Sequence, residues 1–152
     1  MRKILVSLIV SAALLFGAAY VVQAAPPTKA EAKAMAEKAA VYWKANGKEK
    51  AVAAINNPHG QFTKGELYVF ASEHGTTLAN GGNPKLTGIN SWDLKDPGGK
   101  YFTREFYEMA KKGGGWVDYT FANPFTKKVQ KKSAYILPVG DGDIYVACGV
   151  FE

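Results

Sequence analysis

Few side chains in this sequence have the types and spacing that catalysis or metal binding requires. Both histidines, His59 and His74, lie close to a glycine in turn-like segments, where exposed histidines are the ordinary case. Asp93 and Asp96 could act as paired carboxylates, but they stand among turn residues and are expected to be solvated. No serine follows the nucleophile-elbow pattern, and no Cys or His spacing suits zinc or haem. We predict no enzyme, metal or cofactor; an enzyme using Asp93, Asp96 or His74 stays an alternative.

The basic side chains are the second feature with chemical potential. The chain has a net charge of +6, and several of its lysines gather near one predicted hairpin. These are Lys127, Lys128, Lys131 and Lys132, and together with Lys111 and Lys112 they could form a basic patch. They can form a solvated edge that discourages strand pairing, or one of them can turn inward to meet an anion. We predict no nucleic-acid partner, because the charge is modest and the protein is expected outside the cytoplasm.

The start of the chain has the pattern of a secretory signal peptide. A basic pair precedes an apolar run over residues 4–20, and Val22-Gln23-Ala24 forms a small-x-small cleavage site. We predict a signal peptide over residues 1–24, a single domain over residues 25–152, and a periplasmic or secreted location. An uncleaved membrane anchor formed by residues 4–20 is the alternative, although that run is short for a span of about 20 residues.

The composition is that of an ordinary globular domain. The chain is 47% hydrophobic and 21% charged, which argues against a disordered or disulfide-stapled protein. Its one cysteine, Cys148, cannot form an internal disulfide. The strand-like residues around Cys148 predict a buried free thiol rather than a reactive one.

Helical signals come first along the chain, and strand signals follow. Thr28 and Glu31 fit a capping box ahead of an alanine-rich helix that reaches Ala45 and stops at Asn46-Gly47. A second helix is predicted over Lys48–Ile55. The later elements are a helix over 104–112 capped by Thr103, and strands over 67–72, 76–80, 116–122, 127–139 and 144–151. Helices followed by hairpin-linked strands predict an α+β domain with an antiparallel sheet.

Several short motifs follow one another in a recognisable order between residues 28 and 152. They are Asn57-Pro58-His59-Gly60, Gly75-Thr76-Thr77-Leu78, Asn83-Pro84-Lys85-Leu86, Asp96-Pro97-Gly98-Gly99, Gly115-Trp116-Val117-Asp118 and Cys148-Gly149-Val150-Phe151. Their order and spacing together resemble the single Cache domain family, the extracytoplasmic sensor module of bacterial chemoreceptors and histidine kinases.

The resemblance implies a PAS-like fold, with a long N-terminal helix packed on an antiparallel sheet of five or six strands. It also implies a pocket on the other face of the sheet, roofed by the long loop and short helix, for ligands such as acetate, propionate, lactate or pyruvate. Two features depart from the family. Asn80-Gly81-Gly82 stands where related members often carry a His-Pro pair, and no transmembrane, kinase or methyl-accepting region follows Glu152. We therefore expect a free-standing sensor domain whose partner is a membrane receptor or kinase.

The resemblance favours Tyr119, Lys132 and Tyr135 as polar ligand contacts. Strict alternation along a strand puts Lys132 and Tyr135 on opposite faces, so a bulge or twist would be needed to bring both to one pocket. Sequence alone does not say which face lines the pocket. The other candidate ligand-binding residues are Tyr68, Phe70, Asn80, Tyr101, Arg104 and Trp116.

The leading hypothesis is a periplasmic protein that binds a small organic anion, such as a C2–C4 carboxylate, and acts in signal transduction. A small carboxylate needs a cation or several donors, together with apolar walls that exclude water. The alternative is an extracytoplasmic structural or interaction module with a vestigial, apolar-filled pocket.

Overall fold

The computed structural model of the chain describes residues 25–140 and 143–152. The predicted signal peptide, residues 1–24, lies outside the described residues. Among the residues described, no helix is both long enough and apolar enough to cross a bilayer.

The long first helix, α1, runs over Lys29–Asn46 and begins at the predicted capping box. Thr28 Oγ1 accepts a hydrogen bond from the Glu31 amide at 3.2 Å, and the Glu31 carboxylate accepts one from the Thr28 amide at 2.9 Å. The residue that follows α1, Gly47, has a φ of +80°, which suits glycine and ends the helix. α2 then runs over Lys48–Ile55. The first two predicted helices are confirmed.

Antiparallel strands form one sheet of six. They are β1 (Thr63–Lys64), β2 (Leu67–Glu73), β3 (Thr76–Asn80), β4 (Gly115–Ala122), β5 (Val129–Val139) and β6 (Ile144–Phe151). The order is β1-β2-β6-β5-β4, and β3 pairs with β2 beside β1. A third helix, α3, covers Phe102–Lys111 between β3 and β4. The predicted α+β fold, a long N-terminal helix packed on an antiparallel sheet of five or six strands, is confirmed.

The short strand β1 was not predicted, and the largest boundary differences from the expectation are at the starts of α3 and β5. α3 begins at Phe102, and Thr103 does not cap it; the Thr103 hydroxyl instead lies 3.3 Å from Ser91 Oγ and donates to it. β5 begins at Val129, two residues later than predicted. The reason is that Lys127 adopts a φ of +63°, which is incompatible with an extended strand.

The two faces of the sheet carry different cores. On one face, α1 buries Ala32, Ala36, Ala39 and Trp43, whose spacing of three and four residues forms a single stripe of the helix. Cys148 belongs to this face and is a buried free thiol, as predicted. The other face carries α3 and a mostly aromatic cluster. Its aromatic members are Tyr68, Phe70, Phe102, Phe106, Tyr119 and Tyr145.

Residues 81–101 link β3 to α3 and are called the roof loop below. The loop contains one short 3-10 turn at Pro84–Leu86. Leu86, Ile89 and Leu94 of the loop line the space above the aromatic face of the sheet, which α3 borders as well.

Candidate functional site

A cavity of about 100 Å³ lies between the aromatic face of the sheet, α3 and the roof loop. A water molecule takes up about 30 Å³ of liquid volume, so the cavity has room for only a few non-hydrogen atoms. Pockets for drug-sized ligands are larger, about 300–1,000 Å³. The polar side chains in the wall are Ser72, Thr77, Asn80, Ser91, Thr103 and Lys132, with tyrosine hydroxyls among the aromatic residues.

Lys132, on β5, is the one lysine among the described residues that line this wall. The residue is 1% exposed, and its Nζ donates a hydrogen bond to Tyr68 Oη at 2.7 Å. The same Nζ lies over the rings of Tyr68 and Phe151, 4.0 and 4.4 Å from their centroids. Among the described residues, no carboxylate forms an ion pair with it. Because burial disfavours the charged form, the pKa of Lys132 falls to about 7.

The other titratable groups around Lys132 do not supply a negative charge. Burial raises the pKa of the Tyr68, Tyr119 and Tyr145 hydroxyls above the ordinary value, and it raises that of the Cys148 thiol to about 12. All four groups are therefore neutral near pH 7. A buried ammonium without a counter-ion is costly, and the described residues leave the charge of Lys132 uncompensated.

Asn80 stands at the end of β3 with a fixed side-chain orientation. Its Oδ1 accepts hydrogen bonds from the amides of Gly82 and Asn83, at 3.1 and 2.9 Å. Two backbone donors require the oxygen at that position, which leaves the Nδ2 group as the available donor. The segment Asn80-Gly81-Gly82 thus ties the start of the roof loop to the cavity wall.

The structure brings five of the nine predicted site residues together. Tyr68, Phe70, Asn80, Tyr119 and Lys132 all line the cavity. The remaining four, Tyr101, Arg104, Trp116 and Tyr135, do not line it.

Trp116 and Tyr135 lie on the opposite face of the sheet. They are direct cross-strand partners, their rings are 5.1 Å apart, and both pack against the α1 side. Lys29 and Lys33 of α1 lie over these rings at 5.4 and 5.3 Å. β5 pairs with β4 and β6 without a register shift, so strict alternation holds and Lys132 and Tyr135 face opposite ways. The expectation that Trp116 and Tyr135 share the pocket is corrected.

Removing one phenol hydroxyl from each face should separate the two roles. Tyr68→Phe is expected to weaken propionate binding about two- to tenfold, since a lost neutral hydrogen bond costs about 0.5–1.5 kcal/mol. Tyr135→Phe should leave the affinity unchanged, because its ring stays packed against Trp116 and α1. Calorimetric titration of both variants provides the measurement. Equal losses in the two variants would contradict the assignment of faces.

Arg104 and Tyr101 are turned into the roof loop instead of the cavity. The guanidinium of Arg104 stacks 4.1 Å from the Tyr101 ring centroid, and its Nε donates to the Trp92 carbonyl at 3.1 Å. It also forms an ion pair with Asp93. Arg104 therefore joins α3 to the roof loop, and the expectation that these two residues contact a ligand directly is corrected.

Gly149, on β6, is a site residue that the sequence reasoning missed. A Cβ at this position would lie 2.9 Å from Lys132 Cε and 2.6 Å from the Ser133 carbonyl oxygen. Only glycine at this position leaves room for the aliphatic part of the Lys132 side chain, which extends over β6 on the aromatic face of the sheet. The available signal was a glycine inside an otherwise apolar strand, which often marks a close approach of another group.

Gly149→Ala is expected to lower the free energy of unfolding by about 1–3 kcal/mol, the usual cost of overpacking. The same change should weaken propionate binding, because it displaces the stem of Lys132. Urea denaturation and calorimetric titration test the two effects separately. Wild-type stability and affinity in the variant would show that the strand yields easily and that Lys132 needs no such space.

The residues of the enzymatic alternative do not converge. His74 Nε2 lies 2.8 Å from Asp143 Oδ2 on the surface, while Asp93 pairs with Arg104. Asp96 accepts hydrogen bonds from backbone amides within and beyond the roof loop, which lowers its pKa. Within residues 25–140 and 143–152, no three His, Cys, Asp or Glu side chains group as a metal site.

A sheet with a long helix on one face and a roofed, ligand-sized cavity on the other defines the class of PAS-like sensor domains. The chain belongs to the single Cache domain family: the family model described as Single Cache domain 2 matches residues 28–152. This match confirms the resemblance seen in the order of the motifs. No curated protein sequence matches the chain significantly.

Solved structures with a similar fold come from chemosensory proteins. A methyl-accepting chemotaxis protein from Vibrio parahaemolyticus has a TM-score of 0.70 and 22% identity, covering 81% of this chain and 87% of that one. A periplasmic sensor domain of a chemotaxis protein has a TM-score of 0.62 and 19% identity, covering 78% and 85%. A Cache chemosensory domain described for carboxylic acid recognition has a TM-score of 0.61 and 21% identity, covering 78% and 84%.

Proposed function

We propose that this chain is an extracytoplasmic sensor domain, not an enzyme, and that it binds one C2–C4 carboxylate in the aromatic cavity. The observation that carries the proposal is Lys132, a fully buried lysine without a described counter-ion at the wall of a cavity of about 100 Å³. A carboxylate bound there supplies the missing negative charge.

The donors of the cavity are suited to a carboxylate. The Lys132 ammonium provides a charge-assisted hydrogen bond, and Tyr68 holds the Nζ in place through its hydroxyl. Asn80 Nδ2 offers a second, neutral donor. Phe102 and Phe106 form apolar walls for a short carbon chain. Each polar contact is stronger than in water because these walls exclude solvent.

The size and charge of the cavity set the proposed specificity. An uncharged analogue of the same shape cannot pair with the Lys132 ammonium, so it should bind more weakly than the carboxylate by about 1.5–3 kcal/mol, the usual contribution of a hydrogen bond to a charged group. A ligand much larger than four carbons exceeds the volume of about 100 Å³. Amides, alcohols and long-chain acids should therefore be rejected.

The relatives support a sensory role for the proposed complex. Two of the structurally similar proteins act in chemotaxis, and one is described for carboxylic acid recognition. We propose that the bound form contacts a membrane receptor or kinase on the outer side of the cytoplasmic membrane.

The signal peptide over residues 1–24 is part of this proposal. Mass spectrometry of protein from its own cells should find Ala25 at the N-terminus; an intact residue 1–24 segment would favour the membrane anchor.

The proposal is tested with acetate, propionate, butyrate, lactate and pyruvate in thermal-shift and calorimetric titrations of the purified protein. Propionamide and propanol serve as neutral controls of nearly the same shape. We expect at least one acid to raise the melting temperature and to bind with one-to-one stoichiometry, and the neutral controls to have no effect. A flat response to all five acids would instead favour the interaction module with a vestigial pocket.

A further inference from the structure

Two further hollows border the cavity and share wall residues with it. The first, called the basic hollow, shares Tyr68, Asn80, Leu86 and Phe121 with the cavity wall. The second, called the acidic hollow, shares Tyr119 and Lys132 with it. Each is a possible route between solvent and the buried site, and their charges differ.

The basic hollow carries positive charge. Lys85, at the 3-10 turn of the roof loop, and Lys127, in the turn before β5, are both exposed in its wall. None of the described residues lining it is an aspartate or glutamate. Glu66 lies behind the wall residue Asn123, whose Nδ2 donates to it at 3.1 Å, but Glu66 is not part of the lining.

The acidic hollow carries the opposite charge at its mouth. Asp96, Asp118 and Glu152 line it, with Lys131 as the exposed cation. Hydrogen bonds from backbone amides keep the pKa of Asp96 below the ordinary value, so this carboxylate is ionised near neutral pH. An anion approaching Lys132 from this side meets carboxylates first.

The junction between the basic hollow and the cavity is a close contact of backbone and ring. A Cβ on Gly82 would lie 2.7 Å from Tyr68 Cε1, so the roof loop touches the Tyr68 ring directly at this point. Phe121 lines both the basic hollow and the cavity, and its side chain is only partly buried.

We propose that the basic hollow is the entry route of the anionic ligand and that Lys85 and Lys127 steer the ligand into it. This inference rests on the proposed function, since it concerns access to the same cavity. Clefts lined by one sign of charge raise the association rate of an oppositely charged ligand. The two lysines therefore act on the rate of entry, whereas Lys132 acts on the stability of the complex.

Charge reversal tests the steering. The rates are obtained from NMR line shapes of 13C-labelled propionate titrated with the full-length protein. Lys85→Glu/Lys127→Glu is expected to lower the association rate about three- to tenfold at low salt and to leave the dissociation rate unchanged. The difference should vanish in about 0.5 M salt, where screening acts over a few ångströms. The matched control, Lys44→Glu/Lys50→Glu, changes the net charge equally at exposed positions of α1 and α2.

A steric plug tests the route itself. Asn83→Trp, in the roof loop, fills the basic hollow, and Thr120→Trp, on β4, fills the acidic hollow. We expect Asn83→Trp to slow association and dissociation by a common factor of about five or more, with Kd unchanged, because both directions use one path. Thr120→Trp should leave both rates unchanged. Proton NMR spectra verify that both variants are folded.

The outcomes separate this inference from the proposed function. Propionate binding with unchanged rates in the Lys85/Lys127 and Asn83 variants overturns the route and leaves the binding function intact. A slowing caused by Thr120→Trp alone assigns entry to the acidic hollow and likewise overturns it. If propionate and the other four acids fail to bind the wild type, the proposed function and the route fall together.

Discussion

Replacing Lys132 by methionine is expected to abolish measurable carboxylate binding without destabilising the ligand-free protein. Removing one partner of a buried charge pair costs about 2–5 kcal/mol, so the affinity for propionate should fall by at least about 30-fold. Methionine has a similar length and no charge, and it removes the cost of burying an ammonium that is 1% exposed. The lost hydrogen bond to Tyr68 offsets part of this gain, by about 1 kcal/mol.

The neighbouring residue provides the control for this substitution. Lys131 lies on the same strand but is exposed, and its side chain points to the opposite face of the sheet. Lys131→Met removes the same charge from the protein and should retain the wild-type affinity. Calorimetric titration gives the affinities, and thermal denaturation gives the stabilities. An affinity of Lys132→Met within twofold of the wild type would remove Lys132 from the site.

Carboxylate affinity is expected to fall about tenfold for each pH unit above 7. The pKa of Lys132 in the ligand-free protein is about 7, and only the ammonium form attracts a carboxylate. A bound anion raises this pKa, so binding takes up a proton at any pH between the free and the bound value. As the pH rises through 7, binding must include a growing cost of protonation, about 1.4 kcal/mol per unit. Affinity therefore decreases with increasing pH.

Other titrating groups do not produce this slope. The carboxylate ligand is ionised throughout, since such acids have pKa values near 4. The thiol and the tyrosine hydroxyls around Lys132 titrate far above this range. Titrations at pH 6, 7, 8 and 9, in two buffers of different ionisation enthalpy, measure both the affinity and the proton uptake. A constant affinity between pH 7 and 9 with no proton uptake would show that Lys132 binds in one charge state throughout. Lys131→Met should keep the wild-type slope.

Most of the secondary structure could be predicted because it depends on neighbours in the sequence. The Thr28 capping box, the stop at Gly47 and the strand over Ile144–Phe151 involve residues a few positions apart. The predicted cap at Thr103 was wrong because α3 already begins at Phe102, so Thr103 lies inside the first turn, where its hydroxyl donates to Ser91 in the roof loop. The order of motifs identified the family, which the match over residues 28–152 confirms.

The candidate site could be predicted only in part. Alternation along β5 already placed Lys132 and Tyr135 on opposite faces. The family resemblance instead favoured both residues as contacts in one pocket, and the unbroken register of β5 agrees with the alternation. Arg104 was assigned to the cavity from its position at the start of α3. Its direction is set instead by Tyr101, Trp92 and Asp93, which depends on how the roof loop folds.

The sequence by itself determined the elements, their order and the division of each strand into two faces, since these follow from local periodicity and capping. Only the tertiary structure decided which face became the cavity, because alternation treats both faces alike. α1 covers the face of Tyr135, which leaves Lys132 beneath α3 and the roof loop. The burial of Lys132 depends on Tyr68, 64 positions away, and on the space left by Gly149. Long-range packing therefore buries Lys132, whereas most lysines of the chain are exposed, and no described carboxylate compensates its charge.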